Sequence, residues 1–151
     1  MATENLSEFF RHLERAANYA LQAESEEDAE LSIELLHKAV EACREAVGAA
    51  PSSDLVALAH HRTAEYYLTM AEYYDPVVTA NEELNEDERD GNMDECMQRI
   101  IDALAEERKA LALAHEHGAL VEIKASIASC LSRLATLTMD ETYAEHSQWI
   151  E

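Results

Sequence analysis

Glycine and proline are nearly missing: three Gly and two Pro in 151 residues. That shortage disfavours a β-sandwich or barrel, whose many turns need both residues. Cysteine is also sparse. Cys43, Cys96 and Cys130 stand far apart with no Cys-x-x-Cys spacing, which excludes zinc ribbons and dithiol redox chemistry. Each lies in a helical pattern among small or apolar neighbours, so three reduced, mostly buried thiols are expected. No run approaches the ~18–20 apolar residues that cross a bilayer. The first ten residues carry Glu4 and Glu8 and lack the basic-then-apolar order of a secretory signal. The expectation is therefore a cytoplasmic protein with no membrane contact. Basic residues are the most informative shortage, with 11 Lys+Arg against 32 Asp+Glu and a formal charge of −21. Such a chain repels a phosphate backbone, which disfavours direct nucleic-acid binding.

What is present is apolar periodicity. Apolar residues make up 48% of the chain and recur at three- and four-residue spacing almost throughout. A first helix is expected from about Leu6 to Ala23, with Leu6, Phe9, Leu13, Ala16 and Ala20 on its buried stripe. A second, from about Glu27 to Val47, should bury Leu31, Leu35, Ala39, Ala42 and Ala46 and stop at Gly48 and Pro51. Ser52-Ser53-Asp54 caps a third helix from Leu55 to about Tyr74, which Asp75-Pro76 ends. The stretch from about 81 to 94 is acidic and reads as a connector or frayed helix end. A fourth helix runs from about Met93 to His117, closed by Gly118, and a fifth from Leu120 to about Leu137. Asp140 to Glu151 is expected to form a short last helix carrying Tyr143, Trp149 and Ile150. Residues 1–151 are thus expected to be a single all-α domain of five to six antiparallel helices.

The pattern also echoes internally. Leu55-Val56-x-Leu58 is matched by Leu120-Val121-x-Ile123, and Tyr67, Met70, Ala71 and Tyr74 by Leu131, Leu134, Ala135 and Thr138. Repeated helical hairpins are the mark of stacked arrays. Ala39-x-x-x-Cys43-x-x-Ala46-x-x-x-x-Pro51, Tyr67-x-x-Met70-Ala71-x-x-Tyr74 and the join from Ala110 through Gly118 to Leu137 resemble the tetratricopeptide repeat family. The resemblance covers about two hairpins. The family's glycine inside the first helix is absent, the Leu6–Ala23 helix fits no repeat, and the acidic stretch breaks the 34-residue period. The resemblance implies a TPR-like helical-hairpin bundle that serves as an interaction scaffold and carries no catalytic residue.

Acids are clustered. Glu24, Glu26, Glu27, Asp28 and Glu30 form one group; Glu82, Glu83, Glu86, Asp87, Glu88, Asp90, Asp94 and Glu95 form a denser one. Self-repulsion on this scale destabilises a compact state unless salt or a cation screens it. Solvation is the ordinary use of such a face, including in a salt-rich cytoplasm, although Glu outnumbers Asp 24 to 8 where a halophile usually carries more Asp. The functional reading is a docking surface for a basic protein, steered by long-range attraction, with the denser group as the expected contact. Secretion chaperones holding a client, immunity proteins blocking a basic nuclease and inhibitors that imitate nucleic acid all work this way. The expected partner is thus a basic protein, either a nucleic-acid-binding protein or a secreted client. Tyr66-Tyr67 and Tyr73-Tyr74 stack on one side of the third helix with Met70 between. Packing would use such a stripe. Adjacent tyrosines point about 100° apart, however, wider than one helix contact covers. The alternative is that one tyrosine of each pair lines an open groove and anchors the partner.

Three further patterns carry chemistry in other folds. Glu34-x-x-His37 has the spacing of di-iron bundles, but no second copy exists. Glu86 to Met97 outlines a calcium loop with Gly91 in place, yet Met97 stands where a bidentate carboxylate closes the shell. No metal or cofactor is expected from either. Arg108 and His115 resemble the Arg–His spacing of helical HEPN ribonucleases, which would imply a general base and a cation for phosphate. Lys109 replaces that family's small polar residue, and the surroundings are anionic. The expected protein is therefore not an enzyme, with that ribonuclease and a halophilic scaffold as the alternatives.

Overall fold

A computed structural model describes residues 2–75 and 86–138 of the chain. The described residues form five α-helices and no strand: α1 (Ala2–Ser25), α2 (Ala29–Ala49), α3 (Ser53–Tyr74), α4 (Glu86–Leu113) and α5 (His117–Thr138). The expected last helix lies outside the described residues.

Local sequence sets the joints. The Asp28 carboxylate accepts the Glu30 N–H at 2.9 Å and starts α2; the Ser52 hydroxyl accepts the Leu55 N–H at 3.3 Å and starts α3. Glu116 does the same for α5, accepting the Gly118 and Ala119 N–H groups at 2.9 and 2.8 Å. Those two bonds hold its carboxyl below the usual range. Asp54, at the start of α3, accepts the N–H groups of His115 and Glu116, at 2.6 and 3.3 Å, and ties the α4–α5 joint to the opposite hairpin. Joints of three residues turn α1 back on α2, α2 on α3 and α4 on α5, so these pairs run antiparallel.

Each helix packs on the next in chain order, most extensively α3 on α4. One apolar cluster draws on all five: Ala23 of α1, Leu36 of α2, Met70 of α3, Ile100 of α4 and Leu134 of α5. Met70 and Leu134, matched in the internal echo, are both fully buried. Alanine recurs at the crossings (Ala39, Ala42 and Ala46; Ala57, Ala64 and Ala71), so the axes can approach closely.

Four expectations need correction. The stretch from 86 to 94 is not a connector but the first turns of α4, which begins at Glu86 rather than near Met93. Acids favour a helix N-terminus because the exposed N–H groups there carry partial positive charge, so their density marked a helix start. For the same reason Glu86–Met97 forms no calcium loop. The fourth helix ends at Leu113, short of His117, and Gly118 falls in the first turn of α5. Ala39, Ala42 and Ala46 of α2 are buried as expected, but the start of that stripe is rotated by one residue: Ser32 and Leu36 are inside, Leu35 is half-buried and Leu31 is exposed. The Ser32 hydroxyl donates to the Ala23 carbonyl at 2.9 Å across the α1–α2 joint, so a polar residue holds a core position. Leu6 of α1, expected inside, is also exposed.

Candidate functional site

The cavity of interest is a groove of about 770 Å³ between α1 and α3. Ala17, Ala20, Leu21 and Ala23 of α1 form one wall, and Leu36 of α2 contributes to the floor. Tyr66, Thr69 and Tyr73 of α3 form the other wall. These α3 positions share a wall because 66, 69 and 73 recur at helical spacing. The apolar stripe of α1 is wider than one neighbour can cover. Phe9 and Ala16 are buried against α2, while Leu21 remains 60% exposed.

The groove separates the tyrosine pairs. Tyr66 and Tyr73 line it; Tyr67 is buried, with its hydroxyl 3.0 Å from Arg44 and its ring stacked under Arg99. Tyr74 is half-buried at the end of α3. Burial pushes the Tyr66 phenol up to about 12, so it stays neutral and presents a hydroxyl together with an apolar ring.

The charged members of the lining are all carboxylates: Glu24 from α1, and Glu65 and Glu72 from α3. Glu65 is partly neutralised by Arg62, 2.9 Å away. The antiparallel order brings further acids to the end of the groove where α1 and α3 finish. That end holds the α1–α2 joint, with Glu24 through Glu30, and the start of α4, with Glu88, Asp94 and Glu95 exposed. Tyr74 senses both sets. Burial first, then the negative charge of Glu95, raises its phenol; Arg99 opposes the shift and Glu30 adds to it. Glu30 and Glu95, sixty-five residues apart in sequence, thus both act on Tyr74. Glu82 and Glu83 lie outside the described residues. The side chains of Glu86, Asp87 and Asp90 are likewise outside the description, although their backbone is helical. Glu95 is 3.9 Å from Arg99. None of the described acids of α4 lines the groove itself.

Sequence reasoning missed a second polar feature. His60 and His61 of α3 meet Glu106 and Glu107 of α4: His60 Nδ1 is 3.3 Å from Glu106, and His61 Nδ1 is 2.8 and 2.9 Å from the two Glu107 oxygens. Glu107 is completely buried. Its hydrogen bond is the largest influence on His61, outweighs desolvation, and holds the imidazole above its ordinary value. Burial works against ionising Glu106, but His60 and Lys109 outweigh it and keep that carboxyl below the usual range. The available signal was a His-His doublet on one helix and a Glu-Glu doublet on the next.

The other patterns come to little. Glu34 and His37 are both exposed, and no group of three His, Cys, Asp or Glu placed to hold a metal occurs among the described residues. Arg108 and His115 are exposed and line no part of the groove. Cys43, Cys96 and Cys130 are buried free thiols. Among the described residues no helix is long and apolar enough to cross a membrane. No protein-family model matches the chain, and no curated protein or solved structure matches it either.

Proposed function

We propose that this protein is a non-enzymatic, cytoplasmic interaction module that binds and masks a cationic surface of a partner protein. The observation that supports it is the groove between α1 and α3, where apolar walls with two tyrosines carry a rim of carboxylates. Apolar area gives affinity once water is expelled, while the rim and the formal charge of −21 select and steer a basic partner. On this reading the helical hairpins serve as tetratricopeptide hairpins do, as a rigid frame around a docking surface. The acids at the start of α4 extend the attractive field beyond the groove. Inhibitors, immunity proteins and secretion chaperones all operate in this manner.

The test is capture from a low-salt extract, followed by association kinetics with the purified captured protein. Association should slow steeply as salt rises. The double variant Glu24→Lys/Glu72→Lys should slow it by about tenfold or more and flatten that salt dependence. A partner that binds at the same rate in high salt, and equally well to the variant, would overturn the reading.

A further inference from the structure

We infer that the occupant of this groove is an amphipathic helix carrying Lys or Arg along the edges of its apolar face, an inference that rests on the docking reading above. The groove's walls are helices whose backbone groups bond within themselves, so they offer no free edge to an incoming strand. The polar groups of the lining are side chains: three carboxylates, two phenols and Thr69, whose hydroxyl already donates to the Glu65 carbonyl at 3.0 Å. An extended segment laid there would bury N–H and C=O groups without partners. A helix arrives with its own paired.

The spacing and size of the wall residues also suit a helix. Tyr66 and Tyr73 are two turns apart, about 10.5 Å along α3, the separation of i and i+7 anchors on a helix lying alongside. Ala17, Ala20 and Ala23 on the facing wall are small enough to admit another helix closely. Charge then selects among helices. Glu24, Glu65 and Glu72 rim the groove and no Lys or Arg is in its lining, so a cation at either edge of the occupant finds a carboxylate. The same rim disfavours a second copy of this chain, which would bring −21 against −21. It also disfavours the chain's own segments 76–85 and 139–151, which contain acids and neither Lys nor Arg.

Three fluorescent peptides of about 18 residues distinguish the possibilities. One, of Leu, Ala and Lys, places Leu at i, i+3, i+4 and i+7. A second has the same composition with Leu and Lys alternating, and a third is the first with Glu for Lys. Anisotropy against the full chain should show the first binding about tenfold or more tightly than either of the others. Leu21→Asp, at an exposed wall position, should weaken it by a similar factor while the circular dichroism stays unchanged. Equal binding of both cationic peptides would overturn the helical occupant and leave the docking reading standing. Equal binding of the anionic helix would overturn the charge selection. No binding of any peptide, together with a captured partner that contacts another face, would overturn the inference and the docking reading together. Sedimentation showing a dimer that Leu21→Asp dissociates would place a second copy in the groove instead and overturn the inference.

Discussion

Replacing His61 with phenylalanine strands the Glu107 carboxylate inside the α3–α4 interface. The native contacts are 2.8 and 2.9 Å, and Glu107 has no exposed surface. Unpairing a buried ion costs about 3–5 kcal/mol. His61→Phe should therefore lower stability by about 3–4 kcal/mol at pH 7. The neutral-pH loss corresponds to a fall in Tm of about 10 °C for a chain of this length. Adding Glu107→Leu should recover most of it, since an apolar pair of similar size removes the buried charge altogether. In the native protein, the pairing depends on proton binding on the alkaline side. Glu107 first, with Glu107 and Glu65 charge added, holds His61 above its ordinary value against desolvation. The stabilisation it supplies is complete below about pH 6.5 and fades as pH climbs through the raised value. Urea unfolding followed by circular dichroism at pH 7 and at alkaline pH measures both effects. A His61→Phe loss below about 1 kcal/mol at pH 7, or one that does not shrink at alkaline pH, would refute the reasoning.

Two other expectations follow from buried polar atoms. Ser32→Ala leaves the Ala23 carbonyl without the hydroxyl that meets it at 2.9 Å, and should cost about 1–2 kcal/mol in the same urea assay. Burial pushes the Cys43, Cys96 and Cys130 thiols up to about 11, so at pH 8 a thiol reagent should label none of them at a free-cysteine rate until denaturant is added. Rapid labelling of any one in the folded protein would contradict the packing around it.

The helices were legible because each carries its own local instructions. Asp28 and Ser52 cap as their residue types dictate, and the periodic apolar residues continue to the expected ends of α2 and α3 within a few positions. The start of α4 was misread because an acidic run serves equally well as a loop or as a first helical turn. The outcome rests on the helix that follows it. The start of the α2 stripe was misread because a periodicity count scores serine as polar, and the Ala23 carbonyl that satisfies Ser32 belongs to another helix. At the tyrosines, sequence established that two adjacent rings cannot share one contact. Which member of each pair faced the groove depended on where α1 stood.

Sequence by itself determined the all-helical character, the burial of the three cysteines and the negative charge, since these follow from composition and from interactions within a few residues. Tertiary structure alone decided that Leu21, Leu36, Tyr66 and Tyr73 border one cavity, and that Glu30 and Glu95 both act on Tyr74. It also decided that a His-His doublet meets a Glu-Glu doublet forty-six residues away. Helical propensity is settled by near neighbours along the chain, whereas a groove and a buried ion pair exist only once the antiparallel packing of separate helices has fixed their rotation about their own axes.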